Sequence, residues 1–350
     1  CPQKLGTLLW QTGDVEKGMD EYRKSHALLE QLVAENPSNF DFRYELGITL
    51  GRIGAISAEQ NDFSGALASL QKELDLYKKL SAAERESEKV RTAVAVAYEY
   101  MSSTLLSMGD FNKALENNRR GLEISQALSK DFPLNADYLR RIAVNYYWQG
   151  EILLKSDRSV EALESYKKNI EIEDKLFSVD PKNEVYRGDL SYTLNRMGDV
   201  QINLNNPEQA IIHYRRAESL RTEDIKTDPS NLWKRTSLIG TQSRICELLA
   251  KTGQAEKAKT ECALTRSLME QTKLEPTNAA DRDFIAGSYT DLGEAYSMLA
   301  MKEPACEMYR RSLDIWQDLQ ARGILPNDGP EKMKWLSGQL AACNGNVSPK

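Results

Sequence analysis

The sequence predicts an all-α fold, a solenoid of antiparallel helix pairs about seven repeats long and closed by a short C-terminal helix. Three rows of residues predict it. Ala66, Ala114, Ala162, Ala210 and Ala258 follow one another at 48 residues, with Gly18 one step before them and Ala305 47 residues after. Ahead of that row, by 12 residues, runs a small row: Gly6, Gly54, Ser102, Gly150, Gly198, Cys246 and Gly293. Behind it, by 10 residues, runs an aliphatic row: Leu28, Leu76, Ile124, Ile172, Leu220, Leu268 and Ile315. Self-similarity at a period of roughly 20–50 residues marks a repeat array, in which each unit buries its apolar face on its neighbours.

Each period reads as two amphipathic helices. In the second repeat, Phe42, Leu46, Leu50, Ile53 and Ile56 recur at helical spacing, and so do Leu67, Leu70, Leu74 and Tyr77. Between the helices stand Gly13, Asn61, Gly109, Asp157, Asn205 and Gly253, residue types that accept the left-handed conformation at a helix end. Asp14, Asp62, Asp110 and Asn206 follow, placed to cap the second helix, and Pro207 suits its first turn.

The second helices are expected to stop at joints near residues 38, 86, 134, 182, 230 and 278. Five of these carry a proline and then an asparagine: Pro37 and Asn39, Pro133 and Asn135, Pro181 and Asn183, Pro229 and Asn231, Pro276 and Asn278. Proline disfavours helical geometry in the residue before it, and the asparagine caps the next helix. The joint near residue 86 has Ala83-Glu84-Arg85-Glu86 instead and is expected to continue as charged helix.

The array is assigned to residues 1–329, a capping helix to 330–343 and a disordered tail to 344–350. Met333, Leu336, Leu340 and Cys343 share one face of the capping helix. The first repeat reads as truncated, as in a segment cut from a longer protein or a mature lipoprotein starting at a lipidated Cys1. Its uncovered Leu5, Leu8, Leu9 and Trp10 predict self-association. Close approach of Gly54 to Ala66 explains the small rows. Phe132, Trp148, Tyr166, Tyr214, Trp233, Tyr296 and Trp316 are expected to fill the spaces between repeats.

Charge and composition narrow the function. With 46 basic and 52 acidic residues, a net charge of −6 and a pI of about 5.4, the chain lacks the dense basic field of a nucleic-acid binder. Its apolar stretches fall short of the roughly 20 residues of a membrane span, so a soluble segment is expected, in either compartment. The two histidines, His26 and His213, lie on second helices of different repeats, with no ligand at metal spacing beside them. No catalytic residue, metal site or cofactor site emerges, and the chain does not read as an enzyme.

Leu292-Gly293-x-x-Tyr296 followed by Ala305, Tyr309 and Ser312 resembles the tetratricopeptide repeat signature. Met197-Gly198 with Ala210, Tyr214, Ala217 and Pro229 does so too, and the resemblance runs from Gly6 to about Leu319. The 48-residue unit exceeds the usual one of about 34 residues by roughly two turns per helix. Long repeats with this joint are similar to arrays found carboxy-terminal to the kinase domain of bacterial eukaryotic-like serine/threonine protein kinases. The kinase signatures themselves, a Gly-rich phosphate loop, H-R-D and D-F-G, do not occur here.

This resemblance implies a right-handed superhelix whose first helices line a concave groove. It also implies that the residues three before and one after the small row face that groove. The first set is Gly51, Glu99, Tyr147, Asn195, Ser243 and Thr290, and the second is Ala55, Ser103, Glu151, Asp199, Glu247 and Glu294. Four acidic residues in successive repeats would form a negative stripe for a basic partner segment. The implied function is a non-catalytic protein-interaction scaffold, with a protein or peptide partner. The alternative is a regulatory or sensor region of a bacterial serine/threonine kinase whose catalytic domain is absent from this segment. Among the five cysteines, Cys246 and Cys262 would face each other across a hairpin, where free thiols buried as small hydrophobes are expected. Cys306 would meet Cys343 if the last helix folds back.

Overall fold

The computed structural model describes residues 2–12, 14–83, 87–273, 278–326 and 328–343, which fold into 15 α-helices. The first helices of the hairpins are α1 (Pro2–Gln11), α3 (Phe40–Glu59), α5 (Glu88–Ser107), α7 (Ala136–Lys155), α9 (Glu184–Asn203), α11 (Leu232–Lys251) and α13 (Ala279–Met298). The second helices are α2 (Val15–Glu35), α4 (Phe63–Ala83), α6 (Phe111–Asp131), α8 (Ser159–Val179), α10 (Pro207–Thr227), α12 (Ala255–Glu270) and α14 (Lys302–Ala321), and α15 (Gly329–Cys343) follows. The helices divide into two compact units, residues 1–176 and 177–350.

Among the described residues, six hairpins each turn on one left-handed residue. Asn61, Gly109, Asp157, Asn205 and Gly253 hold φ of 62°, 78°, 60°, 59° and 74°, and the seventh hairpin uses Ala300 at 57°. Gly13 lies outside the described residues. Asp14, Asp62 and Asp110 accept backbone N–H groups of Lys17, Gly65 and Lys113. Asn206 does not cap: its amide donates to Gln201 Oε1 at 3.2 Å, and Pro207 supplies the first turn. Asn39, Asn135, Asn183, Asn231 and Asn278 each accept an N–H of the helix they precede.

At the joint without proline, α4 closes at Ala83, the register at which α2 and α6 also close. The charged stretch 84–86 lies outside the described residues, as do the joint residues 274–277 and the tail 344–350.

In the first unit, Leu70, Leu74, Tyr77 and Leu80 of α4 pack against Val90, Val94 and Tyr98 of α5. In the second, Met269, Tyr289, Leu292, Tyr296, Met308, Trp316 and Leu336 share one core, with Met333 and Leu340 of α15 against it. The aliphatic row lies half-buried in such cores, as at Ile124, Leu268 and Ile315, whereas its first member, Leu28, is 50% exposed.

Three expectations need correction. Tyr166, Tyr214, Tyr296 and Trp316 are buried, but Phe132 and Trp233 are 36% and 59% exposed, because each stands at a helix end, beyond the layer where neighbouring helices touch. Trp10 is partly buried: its indole N–H donates to Glu59 Oε2 at 2.8 Å and the Arg52 guanidinium lies 5.5 Å from its ring centroid, while Leu5 and Leu8 are exposed. Cys246 and Cys262, expected as free thiols, form a disulfide, and the fold-back that would bring Cys306 to Cys343 occurs. Cys246 joins Cys262 across α11 and α12, and Cys306 joins Cys343 across α14 and α15. Their Cα atoms stand 5.2 and 5.9 Å apart, within the range that a disulfide spans.

Candidate functional site

The small row has a direct cause. A Cβ on Gly198 would stand 2.3 Å from the Tyr214 ring, and one on Gly150 would stand 2.6 Å from the Tyr166 ring. The facing side chain of the second helix occupies the space a larger residue would need. Where the row holds a serine, Ser102 Oγ donates to the carbonyl oxygen of Ala114 at 2.9 Å.

The residue after each glycine is then within reach of the same ring. The Tyr214 hydroxyl donates to Asp199 Oδ1 at 2.7 Å, and the Tyr166 hydroxyl donates to Glu151 Oε1 at 2.5 Å. Burial and then the Asp199 charge hold the Tyr214 hydroxyl far above its ordinary range. Glu151 is only 8% exposed. These two acids brace hairpins. Their signal was present in the sequence as a tyrosine 15 residues downstream of each acid, a spacing that sequence reasoning passed over.

The row three before the small residue is also taken up by contacts within the array, with its own second helix at Tyr147 and Thr290 and with the next first helix at Glu99 and Asn195. Residues three apart on a helix share a stripe, so this row lies beside the small one, at the seam between helices. Asn195 donates to the carbonyl oxygen of Ser191 at 3.0 Å and accepts from the Thr241 hydroxyl at 3.3 Å. Ser243 is fully buried, and Thr290 shares a hydrogen bond of 2.9 Å with Ser312. In the first unit, Glu99 accepts from Arg141 Nη1 at 2.8 Å and from Asn145 Nδ2 at 3.0 Å, and burial raises its carboxyl. The Tyr147 ring packs 5.4 Å from Trp148 and 6.1 Å from Tyr166.

Within the second unit, two features stand on the first helices. A cleft of about 330 Å³ between α9, α10, α11 and α13 has Asp199 and the buried Arg221 in its walls and Arg244, Trp233 and Phe284 at its edge. Asp199 lies 3.1 Å from Arg196 Nη1 and 3.4 Å from Arg244 Nε. Beside it, Glu247 pairs with Lys251, and Asp291 and Glu294 lie near enough to feel its charge. Burial, followed by repulsion from Glu247, lifts the Asp291 carboxyl to about 7 and raises that of Glu294.

Of the residues expected to face a groove, the structure brings Glu247 and Glu294 into this acidic cluster and Asn195 and Asp199 into the cleft. Sequence reasoning missed Arg221, Arg244, Phe284 and Asp291. Arg221 carried no signal, because the equivalent position in other repeats holds polar as well as apolar residues: Leu29, Tyr77, Ser125, Glu173 and Met269.

Among the described residues, no three His, Cys, Asp or Glu side chains converge as metal ligands. His26 Nε2 lies 3.5 Å from Glu30, and burial lowers the pKa of His213. No helix among the described residues is long and apolar enough to cross a membrane.

Residues 191–224 match the tetratricopeptide repeat family. No curated protein matches the chain. Among solved structures, the apo form of RapI is similar at a TM-score of 0.54 and 14% identity, covering 91% of this chain and 98% of its own. Aspartyl phosphate phosphatase F from Bacillus subtilis is similar at 0.53 and 12%, covering 93% and 77% respectively. BtubC from P. vanneervenii is similar at 0.50 and 13%, covering 89% and 94%. At such identities the likeness speaks for the fold: an all-helical, tetratricopeptide-like array of hairpins.

Proposed function

We propose that this array is a non-catalytic interaction scaffold, and that the first helices of the second unit receive a segment of a partner protein. The observation that carries this reading is the cleft of about 330 Å³, rimmed by the exposed Trp233 and Phe284 and adjoining the carboxylates Glu247, Asp291 and Glu294. Exposed aromatic side chains beside charged groups are the composition of an interaction hot spot. The acidic cluster favours a basic stretch of the partner through charge complementarity. Two disulfides support an oxidising setting, since cytosolic thiol pools keep such pairs reduced.

A regulatory region of a bacterial serine/threonine kinase is the second reading, favoured by the long repeat alone. Under either reading the array itself binds rather than reacts.

Capture of a lysine-rich peptide by the immobilised chain tests the reading. Reversal belongs at Glu247 and Glu294, since Glu151→Lys or Asp199→Lys would strand a buried tyrosine hydroxyl and disturb the hairpin itself. Glu247→Lys with Glu294→Lys is expected to abolish capture, and capture unchanged by both reversals would contradict the basic-segment reading.

A further inference from the structure

The second unit holds two disulfides in unlike surroundings. Cys246 and Cys262 are fully buried in the core, whereas Cys306 and Cys343 are only partly buried. Beside the second bond a cleft of about 190 Å³ opens, lined by Ser297, Ala300, Lys302, Tyr309 and Gln339 together with both cysteines. Thiol–disulfide exchange needs a thiolate to reach a sulfur of the bond, so access decides which disulfide reacts. The bond between α14 and α15 offers that access, and the bond between α11 and α12 does not.

What the accessible bond holds is a helix with few other anchors. α15 buries Leu336 completely, but Met333 and Leu340 only in part. Trp335 meets the Tyr309 ring edge-on at 5.7 Å, and Lys332 Nζ lies 5.1 Å from the Trp316 ring centroid and 3.8 Å from Asp283. An isolated helix of 15 residues is marginal in water, so α15 depends on these contacts and on the bond at its last residue. That bond joins residues 37 apart, and a cross-link over a long span restricts the open chain strongly.

We infer that Cys306–Cys343 is a redox latch on α15, which an external dithiol opens through the adjoining cleft while Cys246–Cys262 stays closed. The first thiolate of the reagent attacks Cys343 Sγ, the bond between the two sulfurs breaks, and Cys306 leaves as a thiolate. Lys302, one turn before Cys306 on α14 and in the wall of the same cleft, favours that charge, whereas the carbonyl end of α15 disfavours it on Cys343. The second thiolate of the reagent then attacks its own sulfur in the mixed disulfide, releases Cys343 and closes into a cyclic disulfide. Two electrons pass from the dithiol to the cystine, and the two thiol protons end on Cys306 and Cys343. Freed at its end, α15 opens locally and uncovers the rings of Tyr309 and Trp316. The latch stands whether or not a partner segment binds.

Timed exposure of the full chain to limiting dithiothreitol, after Cys1 has been blocked with N-ethylmaleimide, tests it. Iodoacetamide quenching and peptide mass spectrometry report which cysteines have been freed, and limited trypsin digestion reports cleavage after Lys332 and Lys334, inside α15. Cys306 and Cys343 are expected to become alkylated at least about tenfold faster than Cys246 and Cys262. Cleavage in α15 is expected to rise at least about tenfold with them, and Cys306→Ser with Cys343→Ser should show that rise with no reductant present. Glutathione, a monothiol trapped by alkylating the freed cysteine, should be found on Cys343.

Both bonds opening together, Cys246–Cys262 opening first, or neither opening short of unfolding in urea would overturn the latch. So would an α15 that stays uncleaved once its bond is open. A glutathione adduct on Cys306 would overturn the direction of attack. Because the unaltered chain carries the main comparison, the result does not hang on how the serine variant folds.

Discussion

The hairpins α9–α10 and α11–α12 solve the same packing problem by different chemistry. In the first, Gly198 admits the ring of Tyr214, whose hydroxyl is held by Asp199. In the second, the same two positions are Cys246 and Cys262, joined covalently. The repeat fixes where two helices cross but leaves open what closes the crossing. That difference reaches the surface: Asp199 is committed to a tyrosine, whereas Glu247, with no tyrosine to hold, pairs with Lys251 beside Asp291. Covalent closure frees an acid for the face that we assign to the partner.

The comparison breaks most readily at the disulfide. Cys246→Ala with Cys262→Ala should lower unfolding free energy in urea by about 3 kcal/mol, the loop-closure value for a bond of this span. Cys246→Gly with Cys262→Tyr should recover about 1–2 kcal/mol of that loss by rebuilding the tyrosine-to-acid bond on Glu247. A glycine–tyrosine pair no better than the double alanine would refute the equivalence of the two closures.

A second effect is expected in the ring-closed hairpin. Gly198→Ala forces a methyl group into the Tyr214 ring and should cost about 2 kcal/mol, and Tyr214→Phe about 1.5 kcal/mol by removing a bond to a charged acceptor. Both are read from the same urea transitions.

Smaller still is the turn. Ala300 holds φ of 57° where other hairpins use Asn, Asp or Gly, so Ala300→Gly should raise stability by about 1 kcal/mol, while Asn205→Gly should change little. Thermal unfolding of the two variants, side by side, separates the cases.

A separate effect is in pH. Asp291 has a raised folded-state pKa, so its folded form holds the proton more tightly, favours folding in acid and loses that contribution as pH climbs from about 4 toward about 7. Ionisation has the opposite consequence for binding. A lysine peptide should bind more tightly as pH rises through about 7, and Asp291→Asn should flatten that slope in an anisotropy titration.

What was legible in the sequence was local. The period, the left-handed turn residues and the asparagine caps depend on a few consecutive residues, so Asn61, Asn205 and Asn231 could be placed from the chain alone. Features set by a neighbour at long range were not. The state of Cys246 and Cys262 depends on a distance between two helices, and the exposure of Trp233 depends on where the adjoining helices end. The tyrosine partners of Glu151 and Asp199 lay in between, readable as a fixed spacing once the rows are aligned.

The central claim is that the first-helix face of the second unit holds a partner segment. The most direct measurement places a photo-crosslinking amino acid at position 233, in the mouth of the cleft, or at position 212, an exposed site on the second helix α10, and exposes each form to lysate of the source cell. The account predicts crosslinks from position 233 to one partner, through a segment carrying a basic residue, with little from position 212. Crosslinks from position 212 alone, or equal and unselective crosslinks from both, would contradict it.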